Sequence, residues 1–163
     1  IFTMPNSDID SMVIYNSISK FVSKRKNFYL FKSLGQKKYY SCCKHSDFMI
    51  GNSSSGLLEM PTFKKFTINI GERQSGRIRA KSVIDCNFQT KNIIKAIKYA
   101  LNPINKMKIK NVINPYGEGG ASKKIIDILK LKNLNNLILK DFFNIKFKWE
   151  YYLLEQFYFQ KIF

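Results

Sequence analysis

The sequence predicts an α/β fold, a parallel β-sheet with helices on both faces. Three observations point to it. Short apolar runs rich in β-branched or aromatic residues alternate with longer stretches of helical period. Their order is strand, helix, strand, helix, strand, helix, strand, loop, strand, helix. Several turns that follow strands carry Gly, Ser, Asn or Pro, at the sheet edge where ligands of such folds bind. At 163 residues, 45% hydrophobic and 15% aromatic, the chain is long enough to bury one ordinary core.

Ile1-Phe2-Thr3 reads as the end of a strand, with no initiator Met before it, as in a fragment of a longer chain. Met4-Pro5-Asn6-Ser7-Asp8 is a turn whose Ser7 or Asp8 can cap a helix. Ile14, Ile18, Phe21 and Val22 then recur at helical spacing, and Lys24-Arg25-Lys26 supplies the positive charge that suits a helix C-terminus. Phe28-Tyr29-Leu30-Phe31 is the second strand. Ser33-Leu34-Gly35 turns into a helix over residues 36–45. Phe48-Met49-Ile50 is the third strand, and a helix-compatible run, 57–60, follows the turn after it. Phe66-Thr67-Ile68-Asn69-Ile70 is a strand rich in β-branched residues. Ser82-Val83-Ile84-Asp85-Cys86 is the last. Ile93, Ile94, Ile97 and Leu101 mark a helix that Asn102-Pro103 ends. Residues 121–131 form a further helix with Ile125, Ile126 and Leu129 on one face. Ten of the chain's 24 aromatics fall in residues 142–163. Residues 146–163 fit either a helix with Trp149, Leu153 and Phe157 on one face or an irregular tail. Exposed, they would seek a partner surface.

The chemistry concentrates in Gly51-Asn52-Ser53-Ser54-Ser55-Gly56-Leu57-Leu58-Glu59. A polar turn between strand and helix can aim backbone N–H groups and hydroxyls at one point, beside the positive end of a helix dipole. That arrangement suits a diphosphate. Glu59, in the first helical turn, can accept hydrogen bonds from sugar hydroxyls. Serine is also a preferred N-cap, and the same residues fit an ordinary capped turn. Gly71-Glu72-Arg73-Gln74-Ser75-Gly76-Arg77-Ile78-Arg79 is a second anion-site candidate, because guanidinium forks match phosphate oxygens. For Arg79 a surface-loop role is preferred. The turns at Pro5, Gly51 and Gly71 all follow strands and should share one sheet edge. The Gly-rich turn 114–120 precedes a helix, but a glycine cluster without the fuller fingerprint is weak evidence for a phosphate site.

Lys and Arg total 28 against 11 Asp and Glu, a formal net charge of +17. The lysines are scattered and form no block of five or six, so a solvated basic surface is favoured over nucleic-acid binding. An acidic partner half would balance the charge. No apolar run reaches the roughly 20 residues of a membrane span. Cys42, Cys43 and Cys86 give neither metal spacing nor an even disulfide set, which fits a reducing, cytoplasmic setting. No metal or cofactor is expected. The lone His45, beside Lys44, reads as a surface or helix-end residue.

Four stretches occur in order: Thr3-Met4-Pro5-Asn6-Ser7-Asp8, the Ile50–Gly56 turn with Glu59 and Pro61, Thr67 through Arg77, and Asn114-Pro115-Tyr116-Gly117-Glu118-Gly119. Together they resemble the C-terminal half of the hydrolysing UDP-N-acetylglucosamine 2-epimerases. These are bacterial enzymes that open sialic-acid synthesis, with relatives acting on bacillosamine-type sugars. The resemblance covers about residues 1–145 and leaves 146–163 as a tail without counterpart. It implies a Rossmann-like domain, the second half of a glycosyltransferase-B-type fold. It implies that Ser53 and Ser54 hold the diphosphate, Glu59 the ribose hydroxyls and Arg73 the phosphates, with Asn6 contacting substrate. Ser55 and Arg77 would support the turn. The implied reaction eliminates UDP across C1–C2 of the sugar and adds water, giving UDP and a free epimerised amino sugar such as N-acetylmannosamine. The acid and base groups would lie mainly in the N-terminal half, which would be this chain's partner, and full-length chains would pair. The alternatives are the donor-binding half of a sugar-nucleotide glycosyltransferase and a basic nucleic-acid-binding module.

Overall fold

The computed structural model describes residues 1–5 and 9–133. Asn6, with Ser7 and Asp8, lies outside them, as do the aromatic tail and the expected boundary at 145/146. The chain divides into two compact units, the first Ile1–Gly119 and the second beginning at Gly120.

The first unit contains two parallel sheets rather than the one expected, so the Pro5 turn follows a strand of one sheet and the Gly51 and Gly71 turns follow strands of the other. In one, β1 (Phe2–Thr3) pairs with β2 (Leu30–Phe31), Phe2 opposite Leu30. The connection is α1 (Ser11–Ser23), which Phe21 fastens to the strands through edge-on contacts with Phe2 and Phe28. Ile18 and Val22 of the expected stripe are half-buried, whereas Ile14 stays 50% exposed. Met4 still donates to the Phe31 carbonyl, but Pro5 has no N–H to extend the ladder, so this sheet stays short.

The second sheet has the order β3-β4-β5, from Phe48–Gly51, Phe66–Ile70 and Val83–Cys86. All its pairs are parallel, with Gly51 opposite Asn69 and Ile70 opposite Cys86. The three strands therefore end along one edge. Central β4 is buried from Phe66 to Asn69, as a strand covered on both faces must be. Phe66 and Ile68 pack with Ala96 and Ala100 of α4 (Thr90–Leu101), and with Ala80, Ile109 and Val112. The helix α2 (Gly35–His45) precedes β3 and buries Cys43.

Two elements depart from expectation. The helix after Gly51 is a single turn, α3 (Ser55–Leu58), followed by a 3-10 turn, Met60–Phe63. Pro61 cannot donate to the Leu57 carbonyl, so the α-helix cannot propagate past Glu59. Asn102-Pro103 does end α4, but it also begins a new helix, α5 (Pro103–Lys108). The Asn102 side chain accepts from the Ile104 N–H at 2.8 Å, and Pro103 sits in the first turn, where its missing N–H costs nothing. In the second unit α6 spans Ala121–Leu131, the predicted range, and leaves Ile125, Ile126 and Leu129 exposed. No helix among the described residues is long and apolar enough to cross a membrane.

Candidate functional site

The site is the loop cluster at the C-terminal edge of β3 and β4. β3 ends on Gly51, whose φ of 143° disfavours any side chain, and the chain turns sharply through Asn52. The Ser53 hydroxyl accepts from the Ser55 N–H at 3.3 Å, while the Ser53 and Ser54 carbonyls take the N–H groups of Gly56, Leu57 and Leu58. The serine that caps α3 through its side chain is thus Ser53, one residue before the formal N-cap. Among the described residues, the Ser53 and Ser54 amides enter no hydrogen bond. A helix dipole contributes little here, because α3 has only one turn. Any anion held at this turn is held by its amides, hydroxyls and neighbouring cations.

The turn is anchored from below. Leu57 and Met60 are fully buried. Gly56 lies against β4 so closely that an added Cβ would stand 2.4 Å from Thr67 Cγ2. The Thr67 hydroxyl donates to the Gly56 carbonyl at 2.7 Å.

The loop after β4 reaches back to the same turn. Arg73 Nη1 donates to the Asn52 carbonyl at 3.3 Å, and Gln74 Nε2 donates to that carbonyl at 2.7 Å. The Arg73 guanidinium therefore sits beside the residue that precedes Ser53. Gln74 is buried, and its Oε1 has no partner among the described residues. Arg79 braces the loop. It pairs with Asp85 at 2.9 Å and donates to the Gln74 and Arg77 carbonyls, a structural role. Asp85 also accepts from Asn69 of β4 at 2.7 Å.

Glu59 follows α3 and is half-buried. Its Oε2 accepts from the Ser55 hydroxyl, which also bonds the Tyr39 hydroxyl of α2. Its Oε1 receives a long contact of 3.5 Å from the Tyr40 hydroxyl. Burial pushes the Tyr39 phenol up to about 12. Burial also pushes the Cys43 thiol up, which disfavours the thiolate a nucleophile needs.

The Asn114 turn closes over the cluster. Asn114 Nδ2 donates to the Leu58 carbonyl and to Thr62 Oγ1, both at 2.8 Å. The Tyr116 hydroxyl donates to the Ile78 carbonyl at 3.0 Å. Two of the four sequence motifs, the Gly51 turn and the Thr67–Arg77 stretch, are therefore bonded to each other, and the Asn114 motif bonds to residues that flank both, Leu58, Thr62 and Ile78. Ser53, Ser54 and Arg73 meet around Asn52, and Glu59 lies one short helix away. Tyr39, Tyr40 and Gln74 were not singled out from the sequence. The Tyr pair comes from α2, so only the folded chain brings it to Ser55 and Glu59. A separate cleft of about 380 Å³ between β5 and α4 holds none of the predicted site residues. Among the described residues, no group of three His, Cys, Asp or Glu side chains is placed to hold a metal.

A family model described as UDP-N-acetylglucosamine 2-epimerase matches residues 1–130. The chain belongs to the UDP-N-acetylglucosamine 2-epimerase family. Over 149 residues it is 37% identical to the polysialic acid biosynthesis protein P7 of Escherichia coli, covering 89% of this chain and 37% of that protein. It is 35% identical over 135 residues to the UDP-N,N'-diacetylbacillosamine 2-epimerase (hydrolyzing) of Legionella pneumophila, covering 83% and 34%. A shorter match, 44% over 86 residues, is to the GDP/UDP-N,N'-diacetylbacillosamine 2-epimerase (hydrolyzing) of Campylobacter jejuni, covering 52% of this chain and 22% of that one. The chain thus spans little more than a third of the length of the first two relatives. The α/β arrangement of parallel strands and flanking helices is the one expected for this epimerase family.

Proposed function

We propose that this chain is the nucleotide-binding half of a hydrolysing UDP-sugar 2-epimerase. The substrate is UDP-N-acetylglucosamine or a related UDP-diacetamido sugar, and the products are UDP and the free 2-epimerised amino sugar. The observation that carries the reading is the Asn52 carbonyl. It joins the Ser53–Ser54 turn to Arg73, so hydroxyls, two uncommitted amides and a guanidinium converge at the end of β3. A diphosphate has the charge and the acceptor oxygens to use all three. Glu59 offers carboxylate lone pairs to the ribose diol. Asn6, by the family resemblance, would contact the substrate, and the N-terminal half would supply the group that takes the C2 proton.

In this scheme the chain's own residues serve the leaving group. Negative charge grows on the diphosphate as the C1–O bond breaks, and donors already in place stabilise it without reorganising. Arg73 contributes most, because its positive charge strengthens each hydrogen bond to phosphate. Isothermal titration of the chain with UDP tests the reading. Binding is expected, with Arg73→Ala weakening it by about 10- to 100-fold, the range for a charge-assisted hydrogen bond. Absence of UDP binding by a chain whose circular dichroism shows the α/β fold would refute it.

A further inference from the structure

We propose that Ser55 and Tyr39, with a smaller contribution from Tyr40, are positioning residues that lock the Glu59 carboxylate for a ribose diol. The inference rests on the reading of Glu59 as a diol acceptor and says what makes it selective.

The proton inventory fixes the direction of the chain. A carboxylate only accepts, so the Ser55 hydroxyl spends its one proton on Glu59 Oε2. The Tyr39–Ser55 bond must then run from the phenol to the serine oxygen. Tyr39 donates to Ser55, and Ser55 donates to Glu59. Both hydroxyls are half-buried, and α2 is a regular helix, so the relay is anchored on a rigid element. Tyr40, the next residue on α2, packs its ring against Phe63 at 5.9 Å and points its hydroxyl at the other carboxylate oxygen.

The consequence concerns lone pairs. A carboxylate has about four acceptor positions. Ser55 occupies one on Oε2 and Tyr40 approaches one on Oε1, which leaves one on each oxygen. Two acceptors held at the spacing of one carboxylate match two vicinal hydroxyl donors. Without the relay, Glu59 sits at the junction of a one-turn helix and a 3-10 turn, and its side chain must be ordered when ligand binds. With it, that ordering is complete beforehand. The Ser55 position therefore acts through Glu59 rather than on phosphate, unlike Ser53 and Ser54.

The test compares UDP with 2',3'-dideoxy-UDP on the whole chain, by isothermal titration and ligand-observed NMR. Ser55→Ala should weaken UDP by about five- to tenfold, Tyr39→Phe by about two- to fivefold and Tyr40→Phe by about twofold. Affinity for the dideoxy nucleotide should stay within about twofold throughout. In a Glu59→Ala background the same substitutions should add nothing, because the residue they act through is gone. Equal losses for both nucleotides, no loss for UDP, or losses that add to that of Glu59→Ala would each overturn the proposal. A wild-type chain that fails to prefer UDP over its dideoxy form removes the reading of Glu59 beneath it. That outcome is visible before any variant is made.

Discussion

Gly56 is where the serine turn touches the sheet. Replacing it with Ala sets two effects against each other. Helix propensity favours Ala by about 1 kcal/mol in a long helix, and by less in a single turn. Against this, the new Cβ would lie 2.4 Å from Thr67 Cγ2, and overpacking of this kind costs about 1–3 kcal/mol. The clash wins, and Gly56→Ala should lower the thermal midpoint by several degrees. Adding Thr67→Ser deletes the offending methyl but keeps the hydroxyl that donates to the Gly56 carbonyl. The double variant should be more stable than the sum of the two single effects. Strict additivity would show that the turn moves away from β4. At this scale the sequence is informative where chemistry is local. Ser53, Ser54, Glu59 and Arg73 stand out because their side chains suit a nucleotide and their neighbours form a turn. Tyr39 and Gln74 do not stand out. They reach Ser55 and Asn52 across separations of 16 and 22 residues, and only packing decides that.

The loops that form the site are clipped together by the Asn114 turn. Its side chain bridges α3 and the 3-10 turn, and Tyr116 ties the same turn to the loop after β4. Asn114 is 6% exposed, so its loss leaves the Leu58 carbonyl and the Thr62 hydroxyl without their partner in a largely dry setting. Asn114→Ala should cost about 1–3 kcal/mol, read from urea midpoints at unchanged slope. A variant as stable as wild type would mean that the turn rests on the cluster without holding it. Element order was legible because hydrophobic period separates strands from helices. The division of the run after Gly51 into an α-turn over 55–58 and a 3-10 turn over 60–63 was not. The run 57–60 fits a helix and Pro61 marks where it must stop, but neither shows that the helix starts at Ser55 or that a 3-10 turn follows. The same residue type hid α5: Pro103 reads as a terminator and is also a good first residue.

For the molecule as a whole, the decisive fact is where its only histidine lies. Proton abstraction at C2 of a sugar needs a base within hydrogen-bond reach. His45 closes α2, three residues before β3 begins, so it sits at the sheet edge where strands start. The serine turn sits where they end. Four residues of β3 separate the two by about 10 Å at the usual rise. His45 Nδ1 is also engaged by the Ser41 carbonyl at 2.9 Å. The Glu59 carboxylate is tied to Ser55 and faces Tyr40. On the proposed reading, the side chains around Asn52 serve the departing diphosphate and the C2 base comes from outside this cluster. The isolated chain should therefore bind UDP yet release no UDP from UDP-N-acetylglucosamine above the buffer rate, measured by a coupled assay for free UDP. Steady release would place the base among this chain's own residues. Loss of that release in Glu59→Gln with its UDP affinity unchanged would then identify Glu59 as the base and overturn its assignment to the ribose.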